Sequence, residues 1–172
     1  MTPSGAPEES QPLERLSISL RPAREDEQSL IKSFIRNEHL NPLSLNWRHF
    51  WLAETEAGEV IGCGQVKTHG DGSRELASLV VLPTWRSRGV AGSLISRLKQ
   101  EAGAPLWLTC RSGLIPFYAR FGFEDLTHSE ALPPYFRRLR RLAKVFLSLV
   151  RPRESMAVMV WSGGAGEDAF PS

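Results

Sequence analysis

The segment ELASLVVLPTWRSRGVAGSL, residues 75–94, holds a patch suited to gripping an anion: Arg86, Ser87, Arg88, Gly89, Val90, Ala91 and Gly92. Backbone N–H groups at a helix start have no intrahelical partner, and the helix dipole strengthens their pull on negative charge. Gly89, Ala91 and Gly92 carry little or no side chain, so a phosphate can come close to the backbone. Arg86 and Arg88 add two fixed positive charges. The expected ligand therefore carries a pyrophosphate. The elements that must position the patch are read from the same residues. Leu76 to Leu82 is a largely apolar run of strand length stopped by Pro83, and Val90, Leu94 and Leu98 at i, i+4, i+8 carry a helix.

Arg86-x-x-Gly89-x-Ala91, following a strand that ends near a proline, resembles motif A of the GNAT superfamily of N-acetyltransferases, Arg/Gln-x-x-Gly-x-Gly/Ala. Downstream, Phe117-Tyr118-Ala119-Arg120-Phe121-Gly122-Phe123 is similar to that family's motif B, a short helix reading F-Y-x-x-x-G-F. Gly122 suits a helix C-cap in the left-handed region. Both motifs stand in the family order, with a strand over Pro105 to Cys110 between them. The resemblance extends over about residues 16 to 130 and a last strand.

Acetyl transfer to an amine needs a held donor, a polarised carbonyl, a deprotonated amine and a stabilised departing thiolate. The resemblance implies acetyl-CoA as donor, its pyrophosphate on residues 86–92. It gives Leu79, Val80 and Val81 to the pantetheine side, with the Leu79 N–H on the acetyl carbonyl and the Val81 N–H on the pantetheine. Glu75 lies eleven residues before Arg86, a position resembling the catalytic glutamate of the histone-acetylating members. It is the preferred general base, directly or through water, against the alternative of a solvated charge at a hairpin end. His69, across the same hairpin, is the weaker candidate. Tyr118 matches the tyrosine that faces the cofactor sulfur and is assigned as general acid, acting largely by hydrogen bonding because a phenol is the weaker acid of the two. The chain departs from the family after the fifth strand, where an Asn is often found. Cys110 to Pro116 has none, and Arg111 or Ser112 would have to serve. Trp47, Arg48, Trp51 and the Asn41-Pro42 turn lie where the family builds its acceptor pocket, although core packing explains the tryptophans equally well.

The expected elements are a strand at Leu16–Arg21, a helix over Arg24–Asn37, and a helical turn at Leu43–Asn46. Strands follow at Phe50–Glu56, Val60–Thr68 and Glu75–Leu82, then a helix running from Arg88 to about Glu101. Next come the strand Pro105–Cys110, a short helix Leu114–Phe121, and strands at Phe123–Thr127 and Met156–Trp161. This order predicts an α+β (mixed α/β) protein. Its central sheet is mixed and mostly antiparallel, with 6–7 strands and helices on both faces. The GNAT resemblance adds a bulge in the fourth strand and a V-shaped splay between strands 4 and 5.

The 172 residues suffice for one domain, which at this size buries about 70% of its extended surface. The expected organisation is a tail over residues 1–15, a domain over 16–162 and a loose tail over 163–172. A hydrophobic content of 41% and a charged content of 23% are ordinary for a soluble protein, and a net charge of +2 implies no special partner. Cys63 and Cys110, the only cysteines, read as buried free thiols of a reducing compartment, and no metal-ligand spacing is present. The N-terminal residues show neither a secretory h-region nor transit-peptide character, so the expected location is cytoplasmic.

Residues 134–153 hold seven basic residues and no acid. Over 134–150 they predict a basic amphipathic helix inserted before the last strand. Tyr135, Phe136, Leu139, Leu142, Phe146, Leu149 and Val150 lie on one side, and Arg137, Arg140, Arg141, Lys144 and Arg151 on the other. It either docks on the sheet or serves as a lid or an anionic-surface contact. With no stacking aromatics on its basic face, nucleic acid is not expected. The function expected by resemblance is acetyl-CoA-dependent N-acetylation of a primary amine, on a small molecule, a peptide N-terminus or a lysine, by direct attack in a ternary complex. The alternative is a non-catalytic acetyl-CoA-binding or anionic-surface-binding module. The basic helix or an edge strand could pair two subunits into a homodimer.

Overall fold

The computed structural model describes residues 17–150 and 155–164, the side chains of 144–150 apart. The expected tails, the N-terminal strand's first residue Leu16, and Lys144, Phe146, Leu149, Val150 and Arg151 of the basic segment therefore lie wholly or mainly outside what is described. Among the described residues there are seven strands: β1 (Ile18–Pro22), β2 (Phe50–Thr55), β3 (Val60–Thr68), β4 (Arg74–Val81), β5 (Leu106–Arg111), β6 (Glu124–Asp125) and β7 (Met156–Trp161). The α-helices are α1 (Gln28–Asn37), α2 (Val90–Ala102), α3 (Ile115–Ala119) and α4 (Pro134–Val150). They form a single sheet in the order β1-β2-β3-β4-β5-β7-β6. All neighbours are antiparallel except β4 and β5. No described helix is long and apolar enough to cross a membrane.

Two features of β4 depart from a regular strand, and both bear on the site. The parallel pairing with β5 consists of Glu75↔Trp107 and Leu76↔Leu108, although β4 continues to Val81 and β5 to Arg111. Past Leu76 the two strands part, which is the splay the resemblance implied. On its other edge β4 slips register against β3 between Cys63 and Gln65. Cys63 faces Val80 and Gln65 faces Ala77, so Ser78 and Leu79 together oppose Gly64. Ser78 sits at φ 56°, a left-handed conformation that a non-glycine residue adopts at a cost.

Strand alternation sorts the side chains to two faces. On one, α1 packs Ile31, Phe34 and Ile35 against Phe50, Leu52, Cys63 and Val80. Further along the same face, Phe136 of α4 is fully buried with Trp107, Leu132, Val158 and Val160. The opposite face receives α2, whose Leu94, Ile95 and Leu98 are completely buried against Ile61, Leu76, Leu108 and Met159. Glycines in β3 let α2 come this close. A Cβ at Gly62 would lie 2.8 Å from the Val80 carbonyl oxygen, and one at Gly64 would lie 2.8 Å from Leu98 Cδ1. The Val80 oxygen is backbone and cannot swing aside. Gly62→Ala is therefore expected to destabilise the fold by about 1–3 kcal/mol through overpacking. Urea denaturation measures this directly.

Some boundaries differ from the sequence reading. The helix anticipated from Arg24 begins as a 3-10 turn at Glu25–Glu27 before α1. The helical turn expected at Leu43–Asn46 lies instead at Trp47–His49, because the Asn46 side chain accepts from the Arg48 N–H at 3.1 Å and acts as its cap. β6 is shorter than expected. In α4 the apolar side is only partly docked: Leu142 is 69% exposed. Arg140, placed on the solvent side by the helical wheel, turns inward and donates to the Thr127 and Ser129 carbonyls at 2.7 and 3.0 Å.

Candidate active site

Glu75 stands at the apex of the splay and is 6% exposed, so the alternative of a solvated hairpin charge does not describe it. Both carboxylate oxygens are engaged. The Thr109 hydroxyl donates to Oε1 at 2.9 Å, and His69 Nε2 lies 2.9 Å from Oε2. Thr109 reaches it because β5 pairs with β4 here, and His69 because the β3–β4 hairpin folds back at Gly70–Ser73. The start of α4 forms the roof: the Tyr135 ring stacks on His69 with centroids 3.4 Å apart, and Phe136 meets it edge-on at 5.7 Å. Asp71 fixes that roof by accepting the Tyr135 N–H at 2.7 Å. The Ser73 hydroxyl and the Tyr135 amide hold the Asp71 carboxyl down at about 2. Burial, then the Glu75 and Asp71 charges, push the Tyr135 phenol up.

Lys67, opposite Glu75 on β3, donates to the Leu43 carbonyl at 2.9 Å and tethers the 38–46 loop to the sheet. Burial lowers its pKa, with the Glu75 charge acting against that. Gln28 clamps the same loop, its amide donating to the Leu45 carbonyl at 2.8 Å and accepting the Trp47 N–H at 3.0 Å. Thus α1, this loop and α4 border a polar strip on one face of the sheet, containing Gln65, Lys67, Ser78, Glu75 and Thr109.

Tyr118 approaches from the other face. It packs with the α2 cluster, between Phe117 at 5.0 Å and Phe123 at 6.1 Å between ring centroids. Burial, and secondarily the Cys110 thiol, push its phenol up to about 12. The short helix is briefer than the expected Leu114–Phe121: α3 has Arg120 as its C-cap, and Gly122, at φ 77°, closes the turn that follows, its N–H donating to the Ala119 carbonyl at 2.9 Å. The splay thus has a carboxylate on one side and a phenol on the other.

At the far end of β4, the chain turns through Ser87 at φ 61° and Gly89 at φ 82° into α2. The first intrahelical bond is Ser93 N–H to the Gly89 carbonyl at 3.0 Å, which leaves the Val90, Ala91 and Gly92 amides unpaired within the helix. Residues 86–89, which lead into this helix start, are exposed to solvent. Two of these residues have neighbours within the chain. Arg86 donates to the Val81 carbonyl at 3.1 Å and pairs with Glu38 at 2.6 Å, so it ties α2's entry to the end of α1 and its charge is offset there. Gly92 spares space for packing: a Cβ would lie 3.1 Å from Phe121 Cε1. Arg88 lies over the Trp85 ring at 5.2 Å.

Trp51 does not line the acceptor side. Alternation from Phe50 and Leu52 turns it to the α2 face, where the Arg97 guanidinium covers its ring at 3.8 Å. Trp47 does lie on the α1 face, beneath Arg48 at 4.4 Å. A concavity of about 500 Å³ between α1 and the 38–46 loop, lined by Lys32, Arg36, His39, Leu40, Pro42 and Leu45, lies apart from the splay. Among the described residues, no group of three or more His, Cys, Asp or Glu could hold a metal ion.

The cysteines are unsuited to nucleophilic chemistry. Burial pushes the Cys63 thiol up to about 12. Burial, then the Asp125 charge, push Cys110 up to about 11. Both should alkylate much more slowly with iodoacetamide than an unhindered thiol at pH 7.5 in the folded protein. Following modification by mass spectrometry checks this.

The site combines a splayed β4–β5 pair, a bulge at the splay and a left-handed turn into the next helix. Residues 46–125 match the model of the acetyltransferase (GNAT) domain. That match spans 80 of the 172 residues, and the solved structures similar to the chain share its fold. Among solved structures, the Mycobacterium tuberculosis protein Rv2747 in complex with CoA is similar at 22% identity and TM-score 0.63, covering 83% of this chain and 98% of that one. N-acetylglutamate synthase from Neisseria gonorrhoeae, complexed with coenzyme A and N-acetyl-glutamate, is similar at 22% identity and TM-score 0.66, covering 87% of this chain but 36% of the synthase. Arabidopsis thaliana NAA60 with a bisubstrate analogue shares 15% identity at TM-score 0.60, covering 86% of this chain and 100% of that one. No curated protein matches by sequence.

Proposed function

We propose that this chain is an acetyl-CoA-dependent N-acetyltransferase that passes the acetyl group directly to a primary amine. The observation that carries the reading is the splay itself, with a buried carboxylate on one face, a phenol on the other and a row of unpaired amides at its far end. Acetyl-CoA would supply an activated acetyl thioester. The Val90, Ala91 and Gly92 amides, with Arg88 nearby, suit its pyrophosphate. The β5-facing edge of β4 past Leu76 has no strand partner, so backbone N–H groups of the Leu79 to Val81 stretch that point to that edge are available to its carbonyl and pantetheine arm.

Glu75 takes the proton from the attacking ammonium, directly or through water, and the Thr109 and His69 contacts hold its carboxylate in one orientation. An amine with a pKa of about 10.4 is almost entirely protonated at neutral pH, so this step is needed for attack. Tyr118 donates a hydrogen bond to the departing sulfur. Its raised pKa keeps the phenol protonated and makes it a donor more than a proton source. The raised thiol pKa values of Cys63 and Cys110 support direct transfer over an acyl-enzyme.

Binding is tested by thermal denaturation with increasing acetyl-CoA. A ligand at 100 times its Kd stabilises the folded state by about 2.7 kcal/mol, which raises Tm by several degrees in a protein of this size. Gly89→Val, which forces a β-branched residue into the left-handed turn, should abolish the shift. An unchanged Tm in the parent protein would count against the reading.

A further inference from the structure

Among the described residues, Gln65 and Glu75 are the buried polar side chains, and Gln65 is 0% exposed. Its Nε2 donates to the Ser78 hydroxyl at 2.9 Å, while its Oε1 has no partner among the described residues. A buried carbonyl without a donor is unfavourable, and an apolar side chain of this size would not carry it. On stability grounds Gln65 is thus the poorer choice, and what its amide holds accounts for it. It holds Ser78, the bulge residue at φ 56°. The Cys63 thiol contacts the Ser78 carbonyl at 3.8 Å from the same strand. The next residue, Leu79, is anchored on the opposite face, where its Cδ1 lies 3.4 Å from the position a Gly64 Cβ would take.

We propose that Gln65 is a positioning residue for acetyl transfer: it clamps Ser78 in the left-handed conformation, and so sets the direction of the bulge's backbone N–H groups beside the β4–β5 gap. This rests on the gap being the acetyl-transfer site. Without the clamp, Ser78 relaxes toward negative φ, as an L residue prefers, and the following peptide rotates with it. The N–H that should meet the thioester carbonyl then points elsewhere, which slows turnover and leaves the distant pyrophosphate cradle untouched.

The test is Gln65→Leu, assayed beside Ser78→Ala and the double variant Gln65→Leu/Ser78→Gly. Each single variant should lose about 10-fold or more in kcat, with the KM for acetyl-CoA within about 2-fold of the parent and the melting temperature maintained. The double variant should recover most of the lost kcat, because glycine holds positive φ without help. Gln65→Leu turning over at the parent rate, or a double variant as slow as Gln65→Leu, overturns the proposal. A second readout needs no turnover. The Leu79 amide resonance should move in Gln65→Leu and return in the double variant, and an unmoved resonance overturns the clamp on its own. A parent protein silent with every acceptor would count against the acetyltransferase reading, while the amide resonance still decides the clamp.

Discussion

Glu75→Gln is expected to lower kcat roughly 100- to 10,000-fold at neutral pH, the usual range for removing a positioned general base. The substitution is nearly isosteric. A glutamine carbonyl still accepts from Thr109, and its amide can meet His69 Nε2 once the imidazole carries its proton on Nδ1. The fold and the KM for acetyl-CoA should therefore persist. The defect should also shrink as pH rises. Below its own pKa of about 10.4, the free fraction of a lysine-like acceptor grows tenfold per pH unit, so solvent increasingly replaces the base. Steady-state kinetics of both proteins from pH 7 to pH 9.5 give the comparison. A defect of constant size across that range would mean that Glu75 shapes the site without removing the proton.

Tyr118→Phe carries the second large expectation, a fall of about 10- to 100-fold in kcat. This corresponds to the 1.5–3 kcal/mol carried by a hydrogen bond to a charged group. The ring contacts with Phe117 and Phe123 survive the change, so acetyl-CoA affinity should hold. Burial and the Cys110 thiol have raised this phenol to about 12. It stays protonated, and so able to donate, through the neutral and moderately alkaline range. Its ionisation should produce no alkaline loss of kcat up to about pH 10. Stopped-flow measurement of thiol release separates this step from acceptor binding. Parent-like release in the variant would remove Tyr118 from the chemistry.

The parts of this molecule that were legible in the sequence are those written in contiguous residues. Gly89 marks the entry to α2, Gly122 takes the left-handed conformation just past α3, and the 17 residues of α4 follow from their 3.6-residue period. The parts that escaped are set by partners far along the chain. The Arg86–Glu38 pair joins residues 48 apart. Gly92 reads as room for an anion, yet its open side faces Phe121. The roof over Glu75 joins His69 to Tyr135, a contact that neither hairpin nor helix announces. Ser78 at positive φ was equally hidden, since serine carries no signal for that conformation and tertiary bonds impose it. Two readings were within reach. Alternation from Phe50 and Leu52 places Trp51 on the α2 face. Gln65, two residues from buried Cys63 in the same strand, stands on the inward face of β3 as a polar residue that needs a reason.

Acetyl-CoA-dependent thiol release, measured on the parent protein against amino acids, polyamines, aryl amines, N-terminal peptides and lysine peptides, shows whether the protein transfers acetyl groups to amines. Release is expected with one acceptor class, dependent on both substrates and matched by an acetylated product in the mass spectrum. Binding of acetyl-CoA with no release above background for any amine would contradict it and leave a domain that holds the donor without using it.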